Sequence, residues 1–221
     1  MKLLRYGLPG CEKPGLLDAN GQLRDLSGQV RDIAEETLLP ESLDRLRKTD
    51  ASALPKIERA VRTGACVGRV GKFICIGLNY SDHVAEAGAS VPSEPVLFMK
   101  ATSAICGPND DVIIPCGAEK ADWEVELGVV IGKPGKYIEE RDALSHVAGY
   151  CVVNDLSERA FQLEGTGQWV KGKSADTFGP IGPWLVTADE IVDPQNLRLW
   201  LEVDGHRYQN GSTSSMIFGV K

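Results

Sequence analysis

The chain has 221 residues, enough for one large domain or for one large and one small domain. Hydrophobic residues make up 43% and charged residues 25% of the sequence, which are ordinary proportions for a globular protein. A net charge of −7 without a basic run argues against nucleic acid and anionic membrane surfaces as partners. No apolar stretch approaches the roughly 18–20 residues of a membrane span, and the N-terminus turns polar too soon for a secretory signal.

The six cysteines form no C-x-x-C pair and no zinc-finger spacing with histidine. Cys106 and Cys116 flank a predicted hairpin, so a disulfide between them is the alternative to free thiols. The pattern favours a reduced, cytoplasmic protein.

The first 70 residues differ in pattern from the rest of the chain. Residues 16–26 read as a hairpin, with Asn20-Gly21 as the turn, and residues 29–47 are helix-rich in composition. A glycine-containing stretch follows and is typical of a linker. We predict a small accessory domain with its linker over residues 1–70 and a main domain over residues 71–221.

The main domain is predicted to contain many short strands, separated by Gly/Pro turns and by few helices. Strands are expected at 72–77, 96–100, 112–115, 124–131, 149–154, 197–203 and 207–208, the last two joined by an Asp204-Gly205 turn. Short helices are expected at 81–88, 139–145 and 157–163. This pattern predicts a β-rich sandwich or barrel.

Three carboxylates stand out in this domain. Asp122–Leu127 alternates polar and apolar residues, which places Glu124 and Glu126 on one face of a strand, roughly 6.5–7 Å apart. Asp155 ends another apolar run. Three carboxylates without paired His or Cys predict Mg²⁺, Mn²⁺ or Ca²⁺ rather than zinc, although a Glu-x-Glu strand by itself is more often a solvated outer face.

A second candidate group lies on the predicted helix that begins near Ser81. His83 and Glu86 are three residues apart and share a helix face. A carboxylate beside an imidazole raises its basicity, so the pair predicts water activation, with a chance surface pair as the alternative.

Two further features favour the binding of an acidic substrate. Arg159 and Gln162 can project together as planar donors to a carboxylate, with a solvated helix face as the alternative. Lys171 and Lys173 lie in a glycine-containing loop, where a lysine near a cation site can stabilise an enolate. A loop lysine on its own is usually solvated.

The order and spacing of several motifs make the chain similar to the fumarylacetoacetate hydrolase family over about residues 70–221. The motifs are Gly77–His83, Phe98–Lys100, Asp122–Leu127, Asn154–Arg159, Gly172–Ser174 and Gln209–Phe218. The resemblance implies a β-rich α+β fold, with a rolled, barrel-like mixed sheet as the catalytic domain, a small N-terminal domain and a homodimer.

The resemblance also implies a divalent cation, normally Mg²⁺ with Mn²⁺ or Ca²⁺ as alternatives. Glu124, Glu126 and Asp155 would hold this cation, and His83 with Glu86 would form the water-activating dyad on a lid.

Among the two loop lysines, the resemblance selects Lys173 as the catalytic one. It places Tyr80, Arg159, Gln162 and Lys100 among the substrate-contacting residues.

The implied activity is metal-dependent cleavage of a C–C bond in a 2,4-dioxo acid, of the acylpyruvate or diketo-deoxy sugar acid type. A ureidoglycolate lyase, an oxaloacetate decarboxylase and a hydroxy-dienedioate isomerase are alternatives for the same site, and a non-catalytic oxo-acid-binding protein is a further one. Family members usually continue beyond the Met216–Phe218 segment with a Thr-Gly-Thr motif, so we expect this chain to be truncated at its C-terminus.

Overall fold

The computed structural model describes residues 1–86 and 88–221. Thirteen strands form in these residues: β1 (Lys2–Tyr6), β2 (Lys13–Leu17), β3 (Leu23–Asp25), β4 (Phe73–Gly77), β5 (Val96–Lys100), β6 (Ile105–Cys106), β7 (Ala121–Asp122), β8 (Val125–Ile131), β9 (Val147–Asn154), β10 (Ser157–Glu158), β11 (Gly179–Thr187), β12 (Arg198–Val203) and β13 (His206–Ser212). The α-helices are α1 (Pro40–Arg47), α2 (Ser81–Glu86), α3 (Arg159–Leu163) and α4 (Val170–Lys173). Short 3₁₀ helices lie at Glu35–Leu38, Ala51–Ala53, Thr102–Ala104, Glu140–His146, Ala188–Glu190 and Thr213–Ser215. The β-rich α+β class is confirmed.

The largest sheet has the strand order β3-β2-β1-β11-β9-β8, with β6 added parallel to β11 and the other neighbours antiparallel. Leu3 of β1 lies opposite Leu185 of β11, and both side chains are fully buried. Ile33 and Val153 belong to the same apolar core. This core supports β9, the strand that leads directly to Asp155.

The first strands of the chain are part of this sheet. The Met1 α-amino group donates to Thr187 Oγ1 at 2.6 Å and pairs with Glu190 at 2.7 Å, which fixes the start of β1 beside β11. Arg62 adds an ionic connection between the two parts of the chain. It pairs with Glu12 in the first part and with Asp110 in the later part. The division at residue 70 stays a prediction, but residues on both sides of it share one core.

Three two-stranded ribbons lie outside the large sheet: β4–β5, β7–β10 and β12–β13. In the described part of the chain these sheets are not joined into a closed barrel, and β8 is the edge strand of the large sheet. The prediction of a rolled, barrel-like sheet is therefore not confirmed, since closure requires partners for β8 and for the ribbons.

Two of the three predicted hairpins are present, whereas the hairpin that Cys106 and Cys116 would flank is absent. Asp18 organises the first loop by accepting from the backbone N–H groups of Asn20 and Gln22, both at 2.9 Å. The second turn is the two-residue Asp204-Gly205 loop, whose residues both have positive φ, as a type I′ hairpin requires.

Three local predictions are wrong, and one reaches beyond the described residues. Lys171 and Lys173 lie in helix α4 rather than in a loop. Residues 112–115 form no strand, because the Ile113 N–H donates to the Thr177 hydroxyl instead of to a neighbouring strand. Ser157–Glu158 is strand β10 rather than the start of a helix, because it pairs with β7. The predicted helix at 81–88 includes Ala87, which lies outside the described residues, and α2 covers Ser81–Glu86.

All six cysteine thiols, which lie within the described residues, are free, so Cys106 and Cys116 form no disulfide. Among the helices of residues 1–86 and 88–221, none combines the length and the apolar character needed to cross a membrane.

Candidate active site

A cleft of about 1780 Å³ collects nearly all of the residues that the sequence predicts for the site. Its walls come from β4, β8 and β13 together with the short helices α2, α3 and α4. The predicted residues that line it are Tyr80, His83, Glu86, Glu124, Glu126, Asp155, Arg159, Gln162 and Lys173. Lys100 lies outside the lining, beneath Asp155.

The carboxylates are brought together by an interruption between β7 and β8. Residues 123–124 leave the strand ladder, and the Glu124 carbonyl accepts the Asp155 N–H at 2.9 Å. This bond places Asp155, at the end of β9, beside Glu124. The Glu124 side chain is only 15% exposed. The alternative of a solvated Glu-x-Glu face is thus wrong.

Lys173 lies between two of the carboxylates. Its ammonium is 2.9 Å from both Glu124 Oε2 and Asp155 Oδ2, and the side chain is 2% exposed. Gly172 makes this approach possible, since a Cβ there would lie 2.4 Å from the Glu158 carbonyl oxygen. The two carboxylate oxygens therefore face one common point, the Lys173 ammonium, and the catalytic role of Lys173 stays a prediction.

Lys100 supports Asp155 from below. It is fully buried, and its ammonium is 2.6 Å from Asp155 Oδ1 and 2.9 Å from the Leu156 carbonyl oxygen. Burial lowers the pKa of Lys100, and the Asp155 charge opposes this shift. Burial alone would raise the pKa of Asp155, but the ammoniums of Lys100 and Lys173 outweigh it and hold that pKa below its usual value. The predicted substrate contact of Lys100 stays a prediction.

Arg159 forms the opposite side of the cluster. Its Nε and Nη2 are 2.8 and 2.6 Å from Asp122 Oδ2, and Nη2 also binds Glu124 Oε1. The remaining nitrogen, Nη1, donates to Gln162 Oε1 at 2.9 Å. Arg159 and Gln162 lie side by side as expected, but their role as joint donors to a substrate carboxylate stays a prediction. Asp122 is an additional partner that orients the guanidinium.

Glu126 is the carboxylate of the cluster whose negative charge no cationic side chain balances among the described residues. No ion pair engages it in the described part of the chain. Burial, followed by the negative charges of Glu124 and Asp155, raises the pKa of Glu126 to about 8. The Tyr80 hydroxyl is also buried, and burial, followed by the Glu126 charge, raises its pKa.

The donor chemistry of this cluster fits a hard divalent cation, because Glu124, Glu126 and Asp155 offer only carboxylate oxygens. Within residues 1–86 and 88–221, no three His, Cys, Asp or Glu side chains are placed closely enough, as they stand, to hold an ion. Lys173 engages two of the three carboxylates instead. A cation would therefore require Glu124 and Lys173 to separate.

His83 and Glu86 lie on α2, at the rim of the cleft, and both side chains are exposed. Buried Val84 anchors the helix, and Asp82 accepts from the Ser215 hydroxyl at 3.3 Å. No hydrogen bond or ion pair joins His83 to Glu86 in the described structure. The dyad stays a prediction, although both residues face the same cleft.

Two amides that sequence reasoning did not single out also shape the site. Asn79 pairs with the backbone of Phe218, donating at 3.0 Å and accepting at 2.9 Å, and thereby fixes the segment before α2. Gln209 accepts from the Val125 N–H at 2.7 Å. Both amides lie within the motifs shared with the family. Their hydrogen-bond partners are 139 and 84 residues away in the sequence, so no local pattern reveals their function.

Replacing Lys100 with methionine should lower the free energy of unfolding by about 3 kcal/mol, since the change removes one partner of a buried ion pair. Chemical denaturation in the presence of chelator measures this effect. Lys120→Met, which removes a lysine paired with Glu164 on the surface, is the matched control and should change stability little. Equal stability of the Lys100 variant and the unmodified chain would contradict the supporting role of Lys100.

The family model described as fumarylacetoacetate (FAA) hydrolase C-terminal matches residues 72–221. A Burkholderia multivorans protein named "Putative hydrolase" is 66% identical over 220 residues, which cover 100% of this chain and 78% of the relative.

Solved structures are also similar to this chain. Fumarylacetoacetate hydrolase from Exiguobacterium antarcticum is 34% identical with a TM-score of 0.82, over 100% of this chain and 78% of that one. 2-Hydroxyhepta-2,4-diene-1,7-dioate isomerase from Mycobacterium marinum is 31% identical with a TM-score of 0.71, over 100% of this chain and 78% of that one. The family match, which the sequence motifs predict, covers the residues that build the carboxylate cluster, and the chain belongs to the fumarylacetoacetate hydrolase family.

Proposed function

We propose that this protein is a divalent-metal-dependent hydrolase that cleaves a C–C bond in a 2,4-dioxo acid, of the acylpyruvate or diketo-deoxy sugar acid type. The observation that carries the proposal is the convergence of Glu124 and Asp155 on Lys173 inside the cleft, with Glu126 beside them. Family membership supports enzymatic activity, and the donor chemistry supports the metal. A cytoplasmic homodimer is part of the proposal: the free cysteines support the location, and the family resemblance supports the dimer.

Glu124, Glu126 and Asp155 would hold the cation, with Mg²⁺ as the first choice and Mn²⁺ or Ca²⁺ as alternatives. When bound, such an ion polarises carbonyl oxygens and neutralises developing negative charge. Glu126 supports this assignment, because a buried carboxylate without an ion pair requires either a proton or a cation.

The cationic side chains suit an acidic substrate. Arg159 is already oriented by Asp122, so its guanidinium can bind a carboxylate in a fixed direction. Lys173, once separated from Glu124, can donate to an enolate oxygen. Both groups lie in the cleft wall, where their effect is stronger than in bulk water.

His83 would accept a proton from water, which adds to the C4 carbonyl of the substrate. The C3–C4 bond then breaks, and its electron pair passes to C3 as the enolate of pyruvate. The acyl part leaves as a carboxylic acid, and protonation at C3 yields pyruvate. Glu86 would orient the imidazole for these proton transfers, after α2 brings the two side chains together.

A second candidate is isomerisation of a hydroxy-dienedioate, favoured by the likeness to the Mycobacterium marinum isomerase. This reaction needs proton transfer and enolate stabilisation but no attacking water. The exposed position of His83 at the rim is compatible with either proton-transfer reaction.

The assay that tests the proposal follows pyruvate release from a series of acylpyruvates, with Mg²⁺ and with chelator. We expect release that depends on Mg²⁺. Turnover of a hydroxy-dienedioate without pyruvate release would favour the isomerase, and no turnover of either substrate class would contradict an enzymatic function.

His83→Ala should lower the rate of pyruvate release by about 10²–10⁴-fold, because it removes the proposed general base. The affinity for Mg²⁺ should stay unchanged, since His83 is not a proposed ligand. His206→Ala, which removes an exposed histidine on β13, serves as the control and should keep full activity. Equal rates for the two variants would contradict the role of His83.

A further inference from the structure

Two side-chain amides hold the backbone at the start of β8, one from the neighbouring strand β9 and one from β13. Asn154 Oδ1 accepts the Glu124 N–H at 3.3 Å, and Gln209 Oε1 accepts the Val125 N–H at 2.7 Å. Because β8 is the edge strand of its sheet, its outward N–H groups need partners from elsewhere. The Gln209 bond lies between the two glutamates of the carboxylate cluster.

Gln209 belongs to the β12–β13 hairpin, which packs on this segment at a second point. The rings of Tyr208 and Trp123 form an edge-to-face pair with centroids 5.3 Å apart. The hairpin thus contacts the Asp122–Leu127 segment through an aromatic pair and through the hydrogen bond from the Val125 N–H to the Gln209 side chain. Only the hydrogen bond acts directly on the peptide that links Glu124 to Val125.

We propose that Gln209 is a positioning residue, which fixes the Val125 peptide and thereby the directions in which Glu124 and Glu126 present their carboxylates to a divalent cation. The inference rests on the proposed function, because it takes these carboxylates as cation ligands. The peptide that joins Glu124 to Val125 is held by the Asp155 N–H at its carbonyl and by Gln209 at its N–H. Residues 123–124 lie outside the strand ladder, so loss of the Gln209 bond leaves this peptide held on one side only and loosens its orientation. Partners that orient ligands in this way typically contribute a large part of metal affinity.

The test compares Gln209→Met with Gln195→Met. Gln195 makes the same kind of contact with nearby backbone, since it accepts from the Val220 N–H at 2.8 Å and donates to the Thr213 carbonyl at 3.2 Å. It does not touch the Asp122–Leu127 segment in the described structure. Both substitutions replace an amide with a thioether of similar length, so a general loss of stability should affect the two variants alike.

Calorimetric titration with Mn²⁺ is the readout, accompanied by the midpoint of thermal unfolding. Gln209→Met should weaken Mn²⁺ binding by about 10-fold, whereas Gln195→Met should leave the affinity unchanged. If the methionine variant fails to fold, Gln209→Asn takes its place. Its amide is one methylene too short to reach Val125, so this variant should also weaken Mn²⁺ binding.

Unchanged affinity in a folded Gln209 variant would overturn the positioning role while leaving the proposed function intact. Equal weakening in the Gln195 and Gln209 variants would also overturn it, because the effect would then be structural. Absence of Mn²⁺ binding to the unmodified chain would overturn both this inference and the metal-dependent function.

Discussion

Compensation of buried negative charge is the constraint on which this site depends. Glu124, Glu126 and Asp155 lie in one cleft wall, and isolated charges in such surroundings are strongly unfavourable. Lys173 and Lys100 neutralise Asp155 from two sides. Breaking pairs of this kind is costly, whereas forming them yields little net stability.

The fold delivers these charges from elements that are far apart in the chain. β5 ends at Lys100, β9 leads to Asp155, and Gly172 lets α4 approach closely enough to insert Lys173. The large sheet supports this arrangement, since β9 pairs with β8 on one side and with β11 on the other. Glu126 has no ion pair among the described residues, and the proposed divalent cation would supply the positive charge that it lacks.

Sequence patterns predicted the class of fold and the residues that line the cleft. They predicted the geometry of those residues less well. The Asp204-Gly205 turn was readable because its backbone conformation depends on its own two residues. The hydrogen bond beside the break before Val125 was not, because its acceptor, Gln209, is 84 residues away. Lys100 at the end of a strand resembles a solvated or substrate-binding lysine, and its burial under Asp155 follows only from the packing of β5 against the β9 terminus.

The most direct test of this account is a calorimetric titration of Mg²⁺ into the chain, compared with Glu126→Gln and with Glu139→Gln as an exposed control. The account predicts one ion per chain, strongly weakened binding for Glu126→Gln, and unchanged binding for Glu139→Gln. Equal Mg²⁺ affinity in all three proteins, or no binding to the unmodified chain, would contradict the claim that the carboxylate cluster is a cation site.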